Sequence, residues 1–96
     1  MKKIFWTQKA QTDLINIGLF IKKDKPIAAK KFVSEIRERV LSLKNNPEIG
    51  RVVPEINNPQ IREIIHKRYR IVYLIKKSTV DILTVFEGHK LLTLSD

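Results

Sequence analysis

The sequence contains no cysteine, only three glycines and four prolines, and no apolar run long enough to cross a membrane. Without cysteine there are no disulfides, no thiolate nucleophile and no zinc–thiolate cluster. The glycines are too few for a glycine-rich phosphate loop, and the first residues lack the apolar stretch of a signal peptide. These absences predict a cytoplasmic protein that has no membrane anchor and no cofactor.

Histidine is also scarce, because His66 and His89 are the only two in the chain. A protein metal site usually needs several imidazole or carboxylate ligands, often at HxH or HxxxH spacing. Neither spacing occurs here, so we expect no metal site.

Acidic residues are outnumbered by basic ones, with ten Asp and Glu against nineteen Lys and Arg, for a net charge of +9. Such an excess is typical of proteins that bind a polyanion, which includes RNA, DNA, the ribosome or an acidic protein. The alternative is that the charge serves only solubility.

The length of 96 residues predicts a single domain over 1–96. Helical periodicity predicts helices at 8–23 and 27–44, separated by a break at Pro26. Alternation predicts strands at 2–6, 61–66, 69–75 and 80–86, with a loop at 48–60. The predicted fold is α+β: an N-terminal antiparallel helical hairpin packed on one face of a small twisted antiparallel β-sheet. The opposite face of the sheet is expected to be open for binding.

Arg70 is a cation within an apolar strand, YRIVYLI. Alternation places Tyr69, Ile71, Tyr73 and Ile75 on one face of that strand and Arg70 on the other. A guanidinium stays charged, so it needs solvent, a carboxylate or a substrate anion. The sequence leaves open a rim position, a salt bridge to Glu63 or Glu87, or a functional role.

One functional hypothesis is metal-independent RNA cleavage by the 2′-hydroxyl of the RNA. Such cleavage needs a base, an acid for the leaving oxygen, and a cation for the charged phosphorane. Glu55 is the candidate base, His89 the candidate acid and Arg70 the candidate cation. Basic residues that are candidates for binding the RNA backbone are Arg51, Arg62, Lys67, Arg68 and Lys90. Each of these residues also has an ordinary alternative as a surface ion-pair partner.

Five segments, taken in order, resemble the RelE/ParE superfamily of toxins from bacterial type II toxin–antitoxin systems. They are FWTQKAQTDLINIGLFI, KPIAAKKF, NPEIGRVVPE, IREIIHKRYRIVYLI and VDILTVFEGHKLL. The resemblance implies the same α+β fold and a cognate antitoxin that wraps the toxin as helix or strand. We expect that antitoxin to carry an acidic segment and to contact the apolar and basic surface along the helical hairpin and the sheet edge.

The superfamily has two activities. RelE-like and YoeB-like members cut mRNA on the ribosome without a metal, whereas ParE-like members poison DNA gyrase. The helical hairpin is similar to that of ParE, whereas Glu55, Arg70 and His89 fall near the catalytic residues of YoeB-like members. Lys90 departs from the YoeB pattern, which has Tyr there, and Glu87 stands where ParE-like members often have His.

The resemblance of Glu55, Arg70 and His89 to the YoeB-like residues, together with the net charge, therefore favours a toxin that cuts mRNA on the ribosome. The alternative is a non-enzymatic gyrase poison, and a third possibility is a decayed toxin that only binds.

Overall fold

The chain folds around one five-stranded sheet, in a computed structural model that describes residues 1–88. The elements are β1 (Lys3–Trp6), α1 (Gln8–Lys22), α2 (Pro26–Leu41), two 3₁₀ turns (Ser42–Lys44 and Pro47–Ile49), β2 (Arg51–Val52), β3 (Ile61–His66), β4 (Tyr69–Ile75) and β5 (Thr79–Glu87). The strand order is β1-β5-β4-β3-β2. The predicted α+β architecture, with an N-terminal helical hairpin on one face of the sheet, is confirmed. The 3₁₀ turn at Ser42–Lys44 falls within the predicted second helix, and β2 within the predicted loop.

The sheet is mixed, which corrects the expectation of a wholly antiparallel one. Strands β2 to β5 pair antiparallel, but β1 pairs parallel to β5. Parallel neighbours require a long connection. Here the two helices and three other strands lie between β1 and β5, which allows the first strand to pair at the edge of the sheet.

Thr7 is the N-cap of helix α1 and also links the helix to the sheet. The Thr7 hydroxyl accepts a hydrogen bond from the Ala10 amide at 3.1 Å and donates one to the Ile82 carbonyl at 2.7 Å. This N-cap satisfies one of the free amides of the first helical turn. It also places Ala10 and Leu14 over β5, where both are buried.

The main core lies between the helical hairpin and the sheet. Tyr69, Ile71, Tyr73 and Ile75 all belong to it, so the predicted inward face of β4 is confirmed. Strand β5 departs from strict alternation, because its register against β4 shifts opposite Val72 and Tyr73. Beyond the shift, each side chain of β5 faces the side of the sheet opposite to the one that strict alternation would give it.

The face of the sheet opposite the helices is only partly open. The loop that follows β2 packs on it, because Val53 is fully buried against Val72 there. Ile56 of the same loop and Phe86 of β5 pack around this second cluster. The expectation of an open face is therefore wrong where the loop lies.

No helix within residues 1–88 combines the length and the apolar character needed to cross a membrane.

Tyr73 links the sheet by hydrogen bonds to the second 3₁₀ turn and to Gly50, the residue before β2. Its hydroxyl donates to the Pro47 carbonyl at 2.6 Å and accepts from the Gly50 amide at 3.0 Å. Burial raises the pKa of Tyr73, so the hydroxyl keeps its proton as a donor. A Cβ at Gly50 would lie 2.5 Å from both the Tyr73 hydroxyl and the Glu63 carbonyl, so only glycine fits this close approach.

Replacing Tyr73 by phenylalanine should lower the free energy of unfolding by about 1–3 kcal/mol, because two buried hydrogen-bonding groups lose their partner. Urea denaturation of purified protein measures the change. Tyr69→Phe is the matched control, because Tyr69 also belongs to the core while its hydroxyl makes no hydrogen bond to another residue of the range 1–88. Equal losses in the two variants would show that the Tyr73 hydrogen bonds add nothing.

Candidate functional site

Arg70 occupies the centre of the candidate site, on the sheet face opposite the helices. Its two terminal nitrogens donate to the two carboxylate oxygens of Glu55, each at 2.8 Å. Its Nε donates to Glu63 at 2.6 Å. The guanidinium carbon also lies 5.1 Å from the centroid of the Phe86 ring. Arg70 is only 5% exposed, so it is a buried cation with two carboxylate partners.

The charges of this site extend to a second arginine. Glu63 has a fully buried side chain and is shared, because its other oxygen accepts from Nε of Arg51 at 2.5 Å. Two carboxylates thus face two guanidinium groups. The hydrogen bonds that Arg70 donates to Glu55 are the main cause that raises the pKa of Arg70; burial opposes this effect and Glu63 adds to it. Arg70 therefore stays charged at every accessible pH.

The pairing bears on the chemistry proposed for Glu55 and Arg70. Both Glu55 oxygens accept hydrogen bonds from Arg70, in the two-pronged geometry that favours guanidinium–carboxylate pairs. Protonation of Glu55 would remove its negative charge and with it the attraction to Arg70, so proton transfer to Glu55 works against this ion pair. The salt bridge from Arg70 to Glu63, one of the alternatives left open by the sequence, is confirmed.

The residues predicted to bind an RNA backbone fall into separate places. Arg62 donates hydrogen bonds to the backbone carbonyls of Pro59 and Gly50, at 2.9 and 3.0 Å. It thereby connects the two ends of the segment 50–59 that contains β2 and the loop after it. Lys67 and Arg68 form the turn between β3 and β4, where Lys67 adopts a positive φ of 56°. Both side chains are mostly exposed.

Ion pairs at this turn are loose. Lys67 lies 4.0 Å from Glu35, and Arg68 lies 3.4 Å from Glu87. Exposed pairs of this kind contribute little to stability, so both cations remain available to an external anion.

Two of the predicted residues, His89 and Lys90, lie outside the described residues. The described chain ends beside the site, since the Gly88 amide donates to the Arg68 carbonyl at 2.6 Å. A Cβ at Gly88 would lie 3.4 Å from Cγ of Arg70. The structure thus brings together Glu55 and Arg70 directly and Arg51 through Glu63.

Sequence reasoning named Glu63 only as one possible partner and missed its central role. The signal was available in the strand pattern, because Glu63 is the one acidic residue of β3, and β3 pairs with the strand that carries Arg70. What could not be foreseen is that β2 brings Arg51 to the same carboxylate. Within residues 1–88 no group of three or more His, Asp or Glu side chains is arranged to hold a metal ion.

Comparison with known proteins identifies the family. Residues 4–92 match the family model described as the ParE toxin of the type II toxin–antitoxin system parDE. A curated relative from Sinorhizobium fredii, named "Putative toxin Y4kP", is 36% identical over 89 residues, covering 93% of this chain and 91% of the relative.

Solved structures agree with this match. A structure titled as the chromosomal ParDE toxin–antitoxin system of P. aeruginosa superposes with a TM-score of 0.75 at 26% identity, over 91% of this chain and 96% of that one. The RelBE2 toxin–antitoxin complex of Mycobacterium tuberculosis has the same fold, with a TM-score of 0.62 at 21% identity, over 90% of this chain and 96% of that one. The family model spans nearly the whole chain and the curated relative is closely similar, so this protein belongs to the ParE toxin family of type II toxin–antitoxin systems.

Proposed function

We propose that this toxin stops growth by binding and inhibiting DNA gyrase, without catalysing a reaction of its own. The observation that carries the proposal is the mutual engagement of Arg70 and Glu55. Glu55 and Arg70, two of the three candidate catalytic residues, neutralise each other's charge in a largely buried site. Such an arrangement stabilises a fold more readily than it serves proton transfer.

Membership of the ParE family supports the same target, since the resemblance to ParE-like toxins implies gyrase. The net charge of +9 is compatible with it, because a strongly basic protein is drawn to a complex of gyrase and DNA. On this proposal the exposed cations Lys67 and Arg68 contribute to the attraction and not to catalysis.

The protein also has an antitoxin partner under this proposal. The similar P. aeruginosa structure is described as a ParDE system, which pairs a toxin with its antitoxin. An antitoxin for this chain should be acidic where it contacts the toxin, because it has to offset an excess of nine positive charges.

A ribosome-dependent mRNA endonuclease remains the second candidate. The observation that favours it is the pair of exposed cations at the turn between β3 and β4, Lys67 and Arg68, which suit the binding of an RNA backbone. His89 would have to act as the acid, and Lys67 and Arg68 would hold the message. The ribosome is a large polyanion, so this activity would fall steeply with salt.

Two assays on one preparation separate the candidates. In a supercoiling assay with relaxed plasmid, gyrase and ATP, we expect the toxin to inhibit supercoiling in a dose-dependent way. In cell-free translation of a defined message, we expect normal protein yield and no new ends by primer extension. Heat-denatured toxin is the control for non-specific effects of the protein.

The opposite pattern would reject gyrase as the target. Ribosome-dependent cuts in the message, which disappear in His89→Gln while supercoiling continues, would establish the endonuclease. His89→Gln should leave inhibition of gyrase intact if the proposal is correct.

The structural role of Arg70 gives a second prediction. Arg70→Met should lower the free energy of unfolding by about 3–5 kcal/mol, because it removes the buried cation that Glu55 and Glu63 share and leaves the buried Glu63 carboxylate with only the partly exposed Arg51 beside it. Arg68→Met makes the same change at an exposed cation and should cost less than about 1 kcal/mol. Urea denaturation compares the two variants with the parent.

Glu55→Gln tests the same pair from the other side. The amide keeps the shape and one acceptor, so we expect a smaller loss of stability than in Arg70→Met. A folded Glu55→Gln protein that inhibits gyrase as the parent does would agree with a structural role. Loss of its activity with unchanged stability would count against that role.

A further inference from the structure

The tip of the helical hairpin carries a dense group of lysines on an exposed surface. The segment 22–31 joins the end of α1 to the start of α2 and contains five lysines against one acidic residue, Asp24. Every residue from 22 to 28 is exposed, and so are the two lysines that follow in α2. The five lysines are Lys22, Lys23, Lys25, Lys30 and Lys31.

No carboxylate of the described chain offsets these charges directly. Among residues 1–88, none of the five ammonium groups lies within ion-pair distance of an Asp or Glu side chain. Two lysines elsewhere do have partners. Lys76 lies 2.7 Å from Asp81, and Lys2 donates hydrogen bonds to two backbone carbonyls at 2.7 and 2.8 Å. The charge at the hairpin tip is therefore left to solvent or to an external anion.

The lysines at the start of α2 do not stabilise that helix. Lys25 is its N-cap residue and makes no side-chain hydrogen bond there, and the first turn holds no acidic residue. Acidic side chains stabilise the beginning of a helix and basic ones destabilise it, because the helix dipole is positive at that end. Several like charges close together also repel one another. These lysines are thus unfavourable for the fold, which is typical of residues retained for binding.

Two more cations extend this surface onto the sheet. Glu35 of α2 lies 4.0 Å from Lys67, and Lys31 precedes Glu35 by one helical turn, so both lysines lie next to the same carboxylate. Phe20 of α1 and Arg68 line one surface groove. The hairpin tip and the turn between β3 and β4 therefore form one end of the molecule. We call it the basic end, and its cations are Lys22, Lys23, Lys25, Lys30, Lys31, Lys67 and Arg68.

We propose that the basic end binds the phosphate backbone of duplex DNA, so that the toxin contacts the duplex held by gyrase as well as the enzyme. This inference rests on the proposed function, which supplies the duplex. A lysine ammonium is a compact charge on a flexible stem, which suits a phosphate. Phosphate contacts position a protein on DNA without reading its sequence, so we expect binding that does not depend on sequence.

Charge favours duplex DNA over other occupants of the basic end. A duplex carries one negative charge per about 1.7 Å of its axis, so it can face several cations of one surface at once. A second copy of the toxin would instead bring another +9 of charge. An anionic membrane would need apolar side chains that enter the lipid. Ile27, which is 84% exposed, is the one large apolar residue of the segment 22–31.

The proposal is tested by fluorescence anisotropy of a short labelled duplex titrated with toxin, in the absence of gyrase. We expect a Kd on the order of 10⁻⁵ M at physiological salt, as for other non-specific DNA binding. The slope of log affinity against log salt should be about −4, which corresponds to about four or five neutralised phosphates. A duplex of unrelated sequence should bind equally well.

Two double variants of equal net charge locate the binding surface. Lys23→Gln/Lys31→Gln removes two cations from the basic end, so we expect affinity to fall about tenfold and the salt slope to weaken by about two. Lys3→Gln/Lys77→Gln is the matched control. Both of its lysines are exposed at the turn between β4 and β5, which the length of β4, about 20 Å, separates from the basic end. We expect the control to change affinity less than about threefold.

Several results would overturn the proposal. Equal losses of duplex affinity in the two double variants would show that only the net charge matters. Binding of the parent to vesicles of anionic phospholipid, without affinity for the duplex, would assign the basic end to a membrane. Tighter binding to single-stranded RNA than to the duplex would also contradict it.

The supercoiling assay keeps this inference separate from the proposed target. We expect inhibition of gyrase to need about tenfold more Lys23→Gln/Lys31→Gln toxin than parent, while the control variant inhibits as the parent does. Duplex binding that depends on the basic end, in a toxin that leaves supercoiling untouched, would support the DNA-binding surface and reject gyrase. Equal inhibition by both variants, without duplex binding, would retain gyrase and overturn this inference.

Discussion

The ion pairs of Arg70 with Glu55 and Glu63 are the constraint on which the far side of this protein depends. Burying a guanidinium in a strand is unfavourable unless carboxylates surround it. Glu63 comes from the neighbouring strand, but Glu55 comes from a loop, so the charge of Arg70 holds that loop against the sheet. Val53 and Ile56 of the same loop then cover apolar surface that would otherwise face water.

The two sides of the molecule consequently differ in how their charges are satisfied. On the sheet side, Arg51 and Arg70 are matched by carboxylates of the chain itself. On the outer side of the hairpin, the guanidinium of Arg37 lies over the Trp6 ring, and among residues 1–88 no carboxylate lines the two surface grooves next to it. The paired arginines on the sheet side support the fold, whereas Arg37 on the hairpin is suited to an external partner. In this toxin, the residues that stabilise the fold and those suited to binding a second protein therefore lie on different sides of the molecule.

Much of the fold follows from local patterns in the sequence. The helical stripes and the alternation of Tyr69, Ile71, Tyr73 and Ile75 were sufficient to place the hairpin and the inward face of β4. The parallel pairing of β1 and the shift in β5 were not predictable, because both depend on contacts between distant segments. In the site, Arg70 stood out as a cation in an apolar strand, but its pairing with Glu55 depends on the path of an irregular loop. Of the eight residues singled out as catalytic or RNA-binding, His89 and Lys90 lie outside the described residues.

The parallel pairing of β1 with β5 also has a consequence for the order in which the molecule is made. Lys3 pairs with Thr79, so β1 cannot enter the sheet before the distant strand β5 has been synthesised. Contacts between such distant segments form late, since the intervening chain must first be ordered. During translation the nascent toxin therefore stays incomplete until most of its chain has left the ribosome.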